Sequence, residues 1–310
     1  MKIGIVGTFI RDRILPWQGE ITDSIGGIFF TTSYLANLAD SNTEIYPVSL
    51  TGADLFDELR ATLSVYPNVK VDGIQRLERD NTRVELNFIS LQDREETTTE
   101  PMPPLEVQNL EVLLDADAVI FNLITGVDVS LPAIETFRQN SRAFIHLDLH
   151  TRCLAIDENG KRYYKRPPDW QAWFKCTDSV QVNEKEAATI AELGDSFRKK
   201  DLIAFGQSIA ETQPAIVHIT LGEMGALLFH KKDGMPQLIQ IPPVRVENVV
   251  DVVGCGDAYE AAFVLDYIKN GDIEAAGKTA NLVAAMNCTF VGSSRIAEIK
   301  QIINKYMEDT

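Results

Sequence analysis

Short β-branched runs alternate with helix-like segments along most of this chain, and that alternation constrains the fold more than any other feature of the sequence. KIGIVG, TEIYPVSL, DAVIFNL, RAFIHLDL, SVQVN and AIVHITLG read as strands, most of them apolar on both faces. Strands buried on both sides belong in a parallel sheet covered by helices on each side. GIFFTTSYLANLAD, ADLFDELRATLS, VSLPAIETFRQNS and KEAATIAELG read as those helices. Ligands of such sheets gather beyond the carboxyl ends of the strands. With 310 residues, no internal repeat and no linker, the expectation is one α/β domain spanning residues 1–310.

Two regions interrupt the alternation. RDRILPWQGEITDSIGG and TRVELNFISLQDREETTTEPMPP carry turn residues and short alternating segments, so they read as hairpins or a small separate sheet. A flap over the main site, at about residues 11–27 and 83–104, is the expected role; the tip at Asp93 to Pro104 reads equally as a surface loop. AIDENGKRYYKRPPDWQAW gathers Lys161, Arg162, Lys165 and Arg166 with aromatic residues. It reads as a solvated hairpin turned at Asn159-Gly160, in preference to a phosphate-binding patch.

A formal charge of -16 argues against nucleic-acid and anionic-membrane partners, which need clustered Lys and Arg. An anionic small molecule can still bind through a local site. The opening MKIGIVGTFIRDR lacks the apolar run and small-residue cleavage site of a signal peptide, and no run is long enough to span a bilayer. Cysteines 153, 176, 255 and 288 show no CxxC or zinc spacing, which fits free thiols in a reducing compartment. The expected location is cytoplasmic.

The stretch DVVGCGDAYEAAF, residues 251–263, carries the chemistry. VRVENVV before it reads as a strand, and AYEAAFVLDYIKN after it as a buried helix ended by Gly271. Gly254 and Gly256 allow backbone angles closed to other residues, so successive N–H groups can turn towards one point at a helix N-terminus. That is an anion cradle, suited to charge building on a phosphoryl group. Asp257 has two readings: an aspartate capping the helix, or a carboxylate that accepts the proton of an attacking hydroxyl. Cys255 reads as a reactive thiol at a helix start or as a small buried filler.

Strand, D-x-x-G-x-G-D and small-residue helix resemble the C-terminal signature of the ribokinase-like (PfkB) carbohydrate kinases, through Asp251, Gly254, Gly256 and Asp257. The resemblance implies a three-layer α/β/α ribokinase-like fold with a small β lid. It implies an anion hole at Gly254, Cys255 and Gly256, and Asp257 as catalytic base. NEKEAA resembles the family's N-x-x-E motif, so Asn183 would serve the nucleotide and Glu186 the Mg²⁺ with its water shell; the same spacing is a helix-capping pattern. Thr220, Gly222 and Gly225 of HITLGEMGALLF match a turn near the nucleotide phosphates, and read alone form a β-turn. Asn281 falls where relatives line the adenine pocket, and also reads as an exposed helix residue. VGTFIRDRIL resembles the segment bearing a sugar-binding aspartate, here Asp12, and Gly26-Gly27 the backbone that approaches sugar hydroxyls. Val252 and Val253 replace threonines beside the loop, where the family's monovalent cation would bind. Phe30, Thr31, Asn122 and Ile124 stand where relatives carry acceptor-binding residues.

The resemblance thus implies ATP- and Mg²⁺-dependent phosphorylation of a sugar or sugar-like acceptor. A nucleoside kinase of the same family, or a non-catalytic sugar or nucleotide sensor, are the alternatives. An exposed lid sheet could also pair two subunits. HLDLH would set His146, Asp148 and His150 on one face if extended, as in an iron site, but Asp148 with Arg152 fits the family's D-x-n-x-R better. His218 and His230 read as isolated packing or surface residues. No Walker loop or GxGxxG supports a P-loop enzyme or a dehydrogenase.

Overall fold

The computed structural model describes residues 1–90, 94–212 and 214–309, so Asp93 of the acidic tip lies outside the described residues. In chain order the first elements are β1 (Lys2–Val6), β2 (Phe9–Leu15), β3 (Thr22–Gly27), α1 (Phe29–Leu38), β4 (Glu44–Gly52), α2 (Ala53–Leu63), β5 (Ile74–Leu77), β6 (Arg83–Phe88) and β7 (Arg94–Thr98). Next come β8 (Ala118–Asn122), α3 (Leu131–Asn140), β9 (Phe144–Asp148), β10 (Leu154–Ile156), β11 (Arg162–Tyr164), α4 (Trp170–Lys175), β12 (Ser179–Asn183) and α5 (Glu184–Ile190). The chain closes with α6 (Lys199–Ala210), β13 (Ile216–Thr220), β14 (Ala226–Lys232), β15 (Met235–Ile241), α7 (Cys255–Asn270), α8 (Ile273–Asn287) and α9 (Ile299–Asp309).

Nine strands form the central sheet in the order β15-β14-β13-β12-β9-β8-β1-β4-β5. It is parallel from β13 to β5, with β14 and β15 added antiparallel at one edge. Successive side chains of a strand point to opposite faces, and the two cores divide accordingly. Ile3, Ile5, Ala118 and Ile120 pack with α1, α7 and α8, whereas Val6, Val119 and Phe121 pack with α3, α5 and α6. This is the expected α/β/α sandwich. The order places the ends of β8, β9, β12 and β13 side by side, all opening on one edge of the sheet.

The interrupting regions form a four-stranded lid sheet, β3-β2-β6-β7, with both expected hairpins in place. A third element joins it. The β10–β11 hairpin turns at Gly160, whose φ is +80°, and sets Lys161 against Thr97 of β7 in an antiparallel bridge. It is therefore docked on the lid, and only part of it is solvated as its charge suggests.

Two other expectations change. VRVENVV is not a strand: Pro242 and Pro243 supply no N–H donors, so the ladder stops at Ile241. The segment crosses irregularly to α7, held by Val250 N–H donating to Cys288 O at 2.7 Å. The helix expected over KEAATIAELG stops at Ile190, because Glu192 takes a left-handed φ of +53° and Leu193 N–H turns back to Ala188 O. Among the described residues, no helix is long and apolar enough to cross a membrane.

Candidate active site

Parallel strands end in polar residues here because their last side chains leave the core. Asn122, Asp148 and Thr220 are the final residues of β8, β9 and β13, and Gln181 and Asn183 close β12. The first turn of α7 faces them, and the lid covers them. Between these walls lies a cavity of about 260 Å³, lined among others by Asp12, Gly27, Asp148, Arg162, Glu186 and the whole Gly254–Asp257 turn.

The turn needs glycine at only one of its two glycine positions: Gly256 has no positive φ, and a Cβ there would meet Gln181 Nε2 at 3.6 Å, an ordinary contact. Gly254 is the N-cap of α7 with φ +81°, and a Cβ there would stand 2.6 Å from Phe30 Cδ1. First-turn amides of a helix lack intrahelical acceptors, which leaves donors and positive potential at the cavity wall. Cys255 Sγ lies 3.3 Å from Cys288 Sγ and accepts a hydrogen bond from Asn287 Nδ2. Contact with Cys288 and burial push its thiol well above the usual range, so Cys255 is a packed neutral side chain and the turn acts through backbone.

Asp257 is not the cap of its helix: the N-cap is Gly254, with no side-chain cap bond, and the carboxyl turns to other elements. Its Oδ1 accepts from Asn122 Nδ2 at 2.9 Å and from Thr31 Oγ1 at 3.0 Å, and its carboxyl lines the cavity. Burial pushes its pKa up to about 6, against the lowering effect of those two donors. Asp148 follows in the same wall, pushed up to about 8 by burial and then by the charge of Asp257. Gln181 Nε2 donates to both Asp148 Oδ2 and Gly256 O at 3.1 Å, tying strand end to turn. Arg152 points away, donating to Asp169 Oδ2 and Gly126 O.

Asn183 and Glu186 form the helix cap that their spacing predicts. Each side chain caps the other's backbone N–H, and both residues line the cavity. Burial, and then the neighbouring Asp148, raise Glu186 well above the carboxylate range. Among the described residues, no three His, Cys, Asp or Glu converge as a metal cage. The arrangement suits a water-rich cation such as Mg²⁺, which takes one or two carboxylates and leaves the rest to water and phosphate.

On the lid side Asp12 is 5% exposed and packs over Gly26, where a Cβ would fall 1.7 Å from its Oδ2. Gly27 takes φ +64° against Thr8 O. The sequence-derived residues Asp12, Gly27, Asn183, Glu186, Thr220, Gly254, Cys255, Gly256 and Asp257 thus share one cavity. Gly222 and Gly225 form the turn after Thr220 at positive φ. Asn281 is buried, contrary to the exposed reading, and donates to Pro242 O at 2.7 Å.

Sequence reasoning missed four participants. Arg162 from the third lid element is only 5% exposed in its side chain, pairs with Glu96 at 3.0 Å and faces the cavity. The basic run pointed to it, but its net charge suggested solvent. Gln181 gave no signal. His150 reaches the cavity because the strand ends at Asp148 and His150 turns at φ +38°, so HLDLH is not one extended face. Glu260 is wholly buried one turn beyond Asp257; an acid set among the small and apolar residues of AYEAAF was its trace. His218 is not isolated either: it is buried against Ser179, Tyr259 and His146.

Comparison with known proteins gives consistent results. The profile described as pfkB family carbohydrate kinase matches residues 34–300. The deoxyribokinase of Salmonella typhi is 37% identical over 89 residues, a match that spans 29% of this chain and 28% of that protein. In fold, the chain is similar to a ribokinase from Thermotoga maritima, with a TM-score of 0.78 and 15% identity over 99% of each chain. It is also similar to a pyrophosphate-dependent kinase in the ribokinase family, with a TM-score of 0.77 and 19% identity over 97% of this chain and 99% of the other.

Proposed function

This chain belongs to the pfkB family of carbohydrate kinases, and we propose that it transfers the γ-phosphoryl group of ATP to a hydroxyl of a sugar or sugar-like molecule. One observation carries the reading: a buried carboxylate, Asp257, meets the cavity beside a glycine turn at a helix N-terminus. With a pKa pushed up to about 6, Asp257 is ionised at neutral pH and basic enough to take a proton. It would accept the acceptor hydroxyl's proton as that oxygen bonds to phosphorus and the donor's bridging oxygen departs. Backbone N–H groups of Gly254–Gly256 would hold the equatorial oxygens, where charge grows in the transition state.

Asp12 and the bare backbone of Gly26-Gly27 would orient the acceptor's hydroxyls. Thr220, with the Gly222–Gly225 turn behind it, would approach the donor phosphates. Asn183 and Glu186, beside Asp148, would hold the water shell of Mg²⁺, which when bound neutralises donor phosphate charge. The lid would exclude water, whose attack would waste the donor.

A pyrophosphate donor is the second reading, favoured by the likeness to the pyrophosphate-dependent kinase in the ribokinase family. The test is a matrix of ATP and pyrophosphate against free sugars, phosphosugars, polyols and nucleosides, with Mg²⁺ present. One donor should give a phosphorylated product, and Asp257→Asn should cut kcat by roughly 10²–10⁴-fold while donor affinity stays. Near-normal turnover of that variant would remove Asp257 as base. Binding without product across the matrix would favour a sensor.

A further inference from the structure

Glu260 is fully buried on α7, yet no strong donor accounts for it. Its Oε1 lies 2.6 Å from Thr31 Oγ1 and 2.6 Å from Asn122 Nδ2, the two groups that also reach Asp257 Oδ1. Its Oε2 stands 3.9 Å from His146 Nε2, and neither of these atoms has a hydrogen-bond partner.

Hydrogen counting decides what this arrangement requires. A threonine hydroxyl has one hydrogen and an asparagine amide two. With both carboxyls ionised, Thr31 could serve only one of them, and Glu260 Oε2 would be a buried anionic oxygen with no donor. A proton on Glu260 Oε1 supplies the missing hydrogen and leaves Oε2 a neutral carbonyl oxygen, still without a donor but no longer a buried anion. That carboxyl then donates to Thr31 Oγ1, Thr31 donates onward to Asp257 Oδ1, and Asn122 gives one N–H to each acid. We propose that Glu260 is a protonated positioning residue which, through Thr31 and Asn122, orients the Asp257 carboxylate and leaves Asp257 as the ionised member of the pair.

The surroundings agree. The groups facing Glu260 are Asp257 on its own helix, Asp148 and His146 on β9, Thr31 on α1 and Asn122 on β8. Behind His146 the ring nitrogens run through Ser179 to His218 and Tyr259 at 3.0–3.2 Å. Burial holds His146 down to about 3 and His218 well below its ordinary value, so neither offers Glu260 a cation. Burial, then Asp148 and Asp257, push Glu260 itself well above the carboxylate range.

The inference rests on Asp257 being the base, and its test separates the two. The Asp257 carboxyl is titrated by carbon-13 NMR in the ligand-free protein, assigned with Asp257→Asn, in wild type, Glu260→Gln and Glu260→Leu. Gln is neutral and its amide N–H can donate to Thr31, giving up only the bond from Asn122, so it should leave the Asp257 pKa within about 0.3 unit and kcat within about threefold. Leu takes away the donor that aims Thr31 at Asp257; the pKa should rise by about one unit and kcat fall roughly 100-fold at unchanged donor KM. A drop of about a unit or more in Glu260→Gln would mean that Glu260 is an anion and would overturn the proposal. So would Glu260→Leu with wild-type titration and turnover. If Glu260→Leu fails to fold, the Gln titration decides. If wild type phosphorylates nothing, the kinase reading falls while the titration still decides this one.

Discussion

Gly254 and Cys255 are neighbours in the turn, and their substitutions should part company. Gly254 needs φ +81°, and Phe30 occupies the space a Cβ would take. Gly254→Ala costs roughly 1–2 kcal/mol of backbone strain before Phe30 moves, so calorimetry should find a Tm lower by about 2–6 °C. Phosphotransfer should be almost lost, because the amides beside that glycine move with it. Cys255→Ala should keep turnover within about threefold, since the neutral thiol serves packing; a loss of roughly 100-fold would give the sulfur a chemical role. Residues that act through backbone are legible in sequence because glycine is the only side chain that fits. Those that act by convergence are not: Thr31 meets Asp257 across 226 residues, and no local pattern records that contact.

The third lid element makes the same point for whole segments. Continuous apolar runs marked six of the nine central strands, since burial on both faces leaves no polar alternation. Sequence pattern misread VRVENVV, whose β-branched residues lack a ladder to join, and it left the docking of β10–β11 unseen. That docking depends on Thr98 N–H donating to Gly160 O, Lys161 on Glu95 and Arg162 on Glu96, all edge contacts between segments distant in sequence. Arg162→Met takes from the partly buried Glu96 the guanidinium 3.0 Å away, a loss of about 3 kcal/mol by the measure of buried pairs. Hydrogen exchange should then show roughly 100-fold weaker protection at Arg162–Tyr164, and KM for the acceptor should rise while KM for the donor stays. Unchanged exchange would mean that the hairpin is held by its backbone bonds alone.

Across the whole molecule, carboxyls buried at one edge of the sheet make stability depend on pH. Asp257 and Asp148 titrate at about 6 and about 8 in the folded chain, above the value near 3.9 of an unfolded aspartate. A raised pKa means that the folded state holds its protons longer, so this contribution is complete below about pH 4 and is lost as pH climbs through 6 and then 8. Melting of the ligand-free protein should therefore fall between about pH 5 and about pH 9, and Asp148→Asn should flatten that fall. An equal slope in both proteins would place the dependence elsewhere. The lid's attachment carries a further consequence. Only Gly7 and Thr8 join β1 to β2, and only Ile28 joins β3 to α1, with Ile28 N–H bound to Thr8 O at 3.2 Å. Two residues reach about 7 Å at full stretch, so these paired tethers hold almost no slack. The near end of the flap must stay moored to the sheet, so any opening has to swing about that end and carry the turn between β2 and β3 farthest.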